Sequence, residues 1–281
     1  MLEQVSSFAE GLDHSEGIAV HRDGSVWCGG EAGQIYRIDL SGKNVEEVAN
    51  TGGFVLGLAF SPDLSWLAIC DPKNKAVMRL DLATMRITTY AEAVGDWRFN
   101  LPNYPVFSRD GSLYISESGE FGQVNGRIFR FDGQGNGELW AGDGLNFANG
   151  IALDADESYL YVVETFLPAI SRFPIQADGS AGPRELYADG VREVPDGIAF
   201  DVEGNLYCSC YAPSRLYKID PQGRVTLFVE DITCHMLSNC TNIAFGGSDF
   251  RTLLITNLGR WHVSQIQMDV QGLRLPCHEK T

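Results

Sequence analysis

Several things are missing from this sequence, and each absence removes a class of explanation. No run of about 18 apolar residues exists, so no membrane-spanning helix is expected. The opening stretch, MLEQVSSFAEGLDHSEG, lacks the basic start and apolar centre of a secretory leader. Positive charge is scarce: 21 Lys and Arg against 37 Asp and Glu leave a net charge of −16. Nucleic acid and anionic membrane surfaces repel such a chain, so neither is expected as a partner. Seven cysteines, Cys28, Cys70, Cys208, Cys210, Cys234, Cys240 and Cys277, are an odd number without disulfide-scaffold spacing. Reduced, mostly buried thiols in a cytoplasmic protein are the expectation. No stretch keeps a helical period.

Catalytic and binding motifs are thin as well. There is no G-x-S-x-G elbow, which argues against a serine hydrolase, and Ser118 in SESGEFG reads as polar loop surface. The five histidines, His14, His21, His235, His262 and His278, show no paired metal spacing, although His14 and His262 fall where they could line a pocket mouth. GQGNG at 133–137 has no Lys-Ser/Thr behind it and reads as a turn. Cys208 and Cys210 share one strand face but lack a second pair.

What the chain does have is glycine, 31 of 281 residues, and a repeated phrase. The phrase occurs as EGIAVHRDGSVWCGG, LGLAFSPDLSWLAIC, NYPVFSRDGSLYISE, NGIALDADESYLYVV, DGIAFDVEGNLYCSC and TNIAFGGSDFRTLLI. Its second residue falls at 17, 57, 104, 150, 197 and 242, in steps of 40, 47, 46, 47 and 45. Such a period fits propeller blades of four strands each. One unit parses as GIAF, a DVEG turn with Gly204 where positive φ is cheap, NLYCSC, RLYKIDP and RVTLFVE. EQVSSFAEGLDHSE near the start is like the tail of a repeat, GELWAGDGLNFAN. The expectation is an all-β, six-bladed β-propeller over residues 1–281, a single domain. Its N-terminal strand completes the last blade and closes the ring.

The first residue of the phrase varies while the frame persists: Glu16, Leu56, Asn103, Asn149, Asp196 and Thr241. Each stands at the top of a strand lining the central channel, so the six converge on the axis. Glu16, Asn149 and Asp196 supply two carboxylates and an amide oxygen, a hard donor set suited to a divalent cation. Zn²⁺ also accepts carboxylates, so the donors alone do not select the metal.

Taken together, EGIAV, FANGIALDAD, YVVET, PDGIAFDVEGNLY and CTNIAFGG closely resemble the SMP-30/gluconolactonase/LRE-like family, over nearly the whole chain. The resemblance implies a metal-dependent hydrolase, most often a sugar lactonase, with Ca²⁺ or Zn²⁺ on the axis and Mn²⁺, Mg²⁺ or Fe²⁺ as further candidates. It implies Glu16, Asn149 and Asp196 as ligands, with Asp196 also the general base. It matches Asn103 to a substrate-contacting asparagine, although the sequence departs there, reading Asn103-Tyr104-Pro105. Arg98 is the nearest candidate for a sugar-contacting arginine.

The longer loop at 119–126 could form a lid, with Glu120 and Phe121 against substrate. Trp97, Tyr104, Phe147 and Trp261 are candidates for a pocket wall. The expected activity is hydrolysis of a small lactone, an aldonolactone such as a gluconolactone or pentonolactone, by metal-activated water. Hydrolysis of another ester or a phosphotriester is one alternative. A non-catalytic, metal-stabilised binding propeller is another. The lactone is the expected partner, and a monomer or weak homo-oligomer the expected assembly.

Overall fold

The computed structural model describes residues 2–279. Six four-stranded antiparallel sheets account for nearly all the regular structure among them. In chain order they form blades 1 to 6, whose innermost strands are Ile18–Val20, Leu58–Phe60, Pro102–Phe107, Ala148–Leu153, Pro195–Phe200 and Cys240–Gly246. In blades 1 to 5 the four strands follow one another outward. Blade 6 takes its outermost strand, Val5–Glu10, from the other end of the chain. That strand pairs antiparallel with His262–Gln267, from Val5 opposite Ile266 to Glu10 opposite His262, and so closes the ring as the sequence predicts.

Burial follows position in the blade. Second strands are sandwiched between neighbouring blades, so Trp66–Asp71 is buried at every residue. Such strands lose the in-out alternation of one-sided sheets. Outer strands such as Val45–Asn50 have no fully buried residue. The apolar core is correspondingly divided into six clusters, one at each blade interface. Trp66, Phe107 and Phe129 meet between blades 2 and 3; Ala9, Ile18, Leu254 and Val263 meet where blade 6 joins blade 1.

The glycine of the repeated phrase has a steric cause. A Cβ on Gly17 would lie 1.8 Å from the Leu56 carbonyl oxygen, and one on Gly150 would lie 2.6 Å from that of Asp196. Inner strands approach too closely at this level for any side chain on that face. Only blades 3 and 6 depart, with Tyr104 and Asn242.

Aspartates organise the tight turns. Asp23 accepts the amide of Ser25 at 2.8 Å, Asp110 that of Ser112 at 2.8 Å, and Asp201 that of Asn205 at 2.9 Å. Asp132 does the same for Gln134 and Asn136, so GQGNG is a turn. These turns follow the first and third strands of the blades, at the end of the ring away from the varying residue. Much of the acidity is therefore turn chemistry.

The segment after the last strand does more than the sequence suggests. The Gly272 and Leu273 amides bond the carbonyls of Phe250 and Phe200, at 2.8 and 2.9 Å. A short 3₁₀ turn follows, with Cys277 and His278 buried. This segment crosses the apolar end of the channel, where Leu273, Leu275, Pro276, Cys277 and His278 line a cavity with the inner strands. LRLPCHEK contains no recognisable motif, so the sequence gives no warning of it.

Candidate metal and active site

At the other end of the channel the varying residues meet. Glu16, Leu56, Asn103, Asn149, Asp196 and Thr241 all line one cavity of about 280 Å³. Each is at most 7% exposed. Hydroxyls tie the blades together just around them. Ser118 donates to the Ala148 carbonyl at 2.7 Å, Thr165 to that of Pro195 at 2.9 Å, and Thr256 to that of Glu16 at 2.7 Å. Thr241 also donates to the Glu16 carbonyl, at 3.0 Å.

The same hydroxyls set the asparagines. The Asn149 amide nitrogen donates to the Thr165 hydroxyl at 3.1 Å, and that of Asn103 to Ser118 at 3.0 Å. An amide whose NH₂ is engaged outward turns its oxygen toward the axis. Ser118 is fully buried and is not the loop surface expected of it. It lies one residue beyond the strand that ends at Glu117, against the inner strand of the next blade.

One buried oxygen on each of Glu16, Asn149 and Asp196 has no hydrogen-bond partner in the protein. Burial and the nearby Asp196 push the Glu16 carboxyl well above its usual range, with Thr241 pulling the other way. Burial raises Asp196 to about 7, against a lowering contact from Asn149. Two buried carboxyls and an orphaned amide oxygen are a costly arrangement by themselves. A cation removes all three penalties at once, so the residues fit the metal that the fold family implies. Among the described residues no three His, Cys, Asp or Glu side chains gather at one point. The third donor here is an amide, so the set is all-oxygen and hard.

The remaining candidates lie elsewhere. Arg98 is exposed on a small hairpin, Ala93–Val94 with Trp97–Arg98, and does not reach the cavity. Trp97 on that hairpin is covered by the Arg127 guanidinium, 3.8 Å from the ring centre. Tyr104 is half-buried one residue below the ring and lines the apolar part of the channel. Glu120 is exposed in its loop, where its amide is held by Asn125 at 2.9 Å. His14 bonds Asp13 and His262 the Met236 carbonyl; neither lines the cavity. Phe147 does.

Sequence reasoning missed the orienting hydroxyls and a set of acids beside them. Asp71, Glu117 and Glu164 end the second strands of blades 2, 3 and 4 and receive the loop amides of Phe54, Leu101 and Asn146, at 3.2, 2.7 and 2.8 Å. Burial nonetheless raises Glu117 to about 7. The pairs Glu117-Ser118 and Glu164-Thr165, in ISES and VVET, were the available signal.

A six-bladed propeller with a hard-oxygen site on its axis narrows the class considerably, and comparison with known proteins settles the family. Residues 56–259 match the SMP-30/Gluconolactonase/LRE-like region, and the chain belongs to that family. It is 33% identical over 135 residues to a 6-deoxy-6-sulfogluconolactonase of Pseudomonas putida, covering 47% of this chain and 45% of that protein. It is 29% identical over 206 residues to a gluconolactonase of Zymomonas mobilis, covering 66% of this chain and 56% of that protein. The chain thus matches about half the length of these two relatives. A crystal structure of a calcium-binding protein, regucalcin, from Agrobacterium tumefaciens superposes with a TM-score of 0.78 at 19% identity, covering 98% and 97% of the two chains. At that identity the likeness is one of fold.

Proposed function

We propose that this protein hydrolyses a lactone at a divalent cation held by Glu16, Asn149 and Asp196. The observation that carries the reading is the trio of buried, unpartnered oxygens on those three residues, facing one cavity. Family membership supports lactone chemistry, since relatives bear lactonase names. The all-oxygen donors suit Ca²⁺, Mg²⁺ or Mn²⁺, and Zn²⁺ also accepts carboxylates.

Bound there, such a cation supplies Lewis-acid polarisation of an ester carbonyl and offsets the two carboxylate charges. The rest is the work of the chain. Asp196 presents a carboxylate at the cavity floor and takes a proton from the attacking water. Thr165 keeps the Asn149 amide oxygen directed at the axis. Asn103, fixed by Ser118, offers its amide oxygen to the bound lactone. The close-packed inner strands hold all of these on rigid backbone, so little reorganisation accompanies the reaction. As the acyl C–O bond breaks, Asp196 returns the proton it took from water to the lactone ring oxygen, which leaves as the hydroxyl of the product acid.

The test is proton release from lactones by chelated protein, then with each cation restored, for wild type and Asp196→Asn. Metal-restored hydrolysis that D196N lowers about 10²–10⁴-fold is the expected result. Full metal-dependent turnover by D196N would refute the role of Asp196. Turnover of open-chain esters or phosphotriesters, but of no lactone, would move the assignment to those substrates.

A further inference from the structure

The walls of the cavity carry a statement about substrate that the axial residues do not. Phe54, Leu56, Pro72, Leu101, Phe147 and Leu258 make up most of its wall, with Tyr211 beside them, and among the described residues no Lys, Arg or His side chain lines it. Leu56 is the ring position where the other five blades present polar groups. A polyhydroxylated lactone would find only the Tyr211 hydroxyl on these walls and would leave most of its hydroxyls there without a protein partner, which costs affinity. An anionic one would find no cationic partner in the walls.

The mouth continues the pattern. Phe147, Phe121 and Phe166 form an aromatic cluster with ring centres 4.8, 5.1 and 5.9 Å apart. Phe121 is 79% exposed and Phe166 38% exposed. The Phe147 backbone stands at φ +62°, in the left-handed region that a bulky residue avoids. It sits in the turn between the outer strand Gly137–Leu145 and the inner strand Ala148–Leu153, and its ring lines the cavity wall. An exposed aromatic group at the lip of an apolar-walled pocket marks a ligand with apolar surface.

Resting on the lactonase reading above, we infer that the substrate is an uncharged lactone bearing an aryl or short alkyl substituent, seated against Phe147, Leu56 and Leu101, and not a polyhydroxylated sugar lactone. The carbonyl end lies toward the cation that Glu16, Asn149 and Asp196 would hold, while the substituent lies toward the Phe121–Phe147–Phe166 cluster.

The experiment compares γ-phenyl-γ-butyrolactone and δ-octalactone with D-glucono-1,5-lactone and D-xylono-1,4-lactone, using metal-loaded protein and proton release. The expected order places the apolar lactones about 100-fold higher in kcat/KM, the discrimination an apolar pocket makes against an added hydroxyl. Phe147→Gly relieves the positive-φ strain and deletes the wall, and thermal unfolding checks that the variant is folded. F147G is expected to lose about 10–30-fold in kcat/KM on the phenyl lactone, through KM, from the ring area left uncovered. On unsubstituted γ-butyrolactone it should change little. Calorimetric binding of γ-phenyl-γ-butyrolactam, which is not hydrolysed, should show the negative heat-capacity change of apolar burial. Equal or better turnover of the sugar lactones overturns the inference and leaves the lactonase reading standing. An unchanged phenyl-to-unsubstituted ratio in F147G also overturns it. Failure to hydrolyse any of these lactones overturns both.

Discussion

Acid should loosen the far end of the channel through His278. Its Nδ1 accepts the Leu275 amide at 3.1 Å, so the ring proton is on Nε2, which donates to the Val20 carbonyl at 2.8 Å. Both nitrogens are thus committed to the neutral form, and a second proton would point at an N–H. Burial lowers its pKa from 6.5 to about 4, opposed by the Val20 bond and aided by Arg274, Arg22 and His21. The unfolded histidine therefore binds more protons than the folded one between those values, and stability falls as pH drops from 6.5 toward 4. Integrated from neutral pH to about 4.5, the loss is about 2.5 kcal/mol. Urea unfolding from pH 7.5 to 4.5 measures it, alongside hydrogen exchange at the His278 and Glu279 amides, which bond the Leu275 and Pro276 carbonyls. His278→Gln keeps a donor for Val20 and does not titrate. Its stability should fall less with acid by that amount, and its tail amides should stay protected. Parallel pH profiles for wild type and H278Q in both measurements would refute the argument.

Three further outcomes follow from the blades. Thr165→Val removes the acceptor of the Asn149 amide and the donor to Pro195. Cation affinity, measured by calorimetric titration of chelated protein, should fall about 10–100-fold, and Thr165→Ser should restore most of it. Gly150→Ala sets a Cβ 2.6 Å from the Asp196 carbonyl oxygen and 2.8 Å from the Gly197 Cα, backbone that cannot step aside. Thermal unfolding should show a loss of about 3 kcal/mol or more, as overpacking against backbone does. Gly111→Ala has no neighbour within 4 Å and only its φ of +85° to oppose it. It should cost about 1 kcal/mol.

The ring was legible in the sequence because one repeated frame marks it six times. Glycine at the second position is forced by the approach of neighbouring strands, which leaves the first position as the readable exception. Blade closure was legible for a similar reason: the N-terminal segment looks like the end of a unit. The walls were not. Phe54, Leu101 and Leu258 sit in connections whose lengths differ from blade to blade, so no shared register announces them. Arg98 was selected by nearness in sequence, and a hairpin turns it outward. Ser118 and Thr165 act across the boundary to the next blade, a relation that linear spacing does not express.

The pairing of Val5–Glu10 with His262–Gln267 has a consequence for time. Val5 meets Ile266 only after the intervening chain has been made. At about 5–20 residues per second, that delay is roughly 13–50 s on the ribosome. Phe8, Ala9 and Leu12 must wait uncovered through it, since Leu254 and Val263 complete their cluster. The Glu16 carbonyl likewise waits for Thr241 and Thr256. An emerging chain therefore has no complete axial ring until its two ends have met: a cation taken up at the proposed site would be a seal applied to a finished ring.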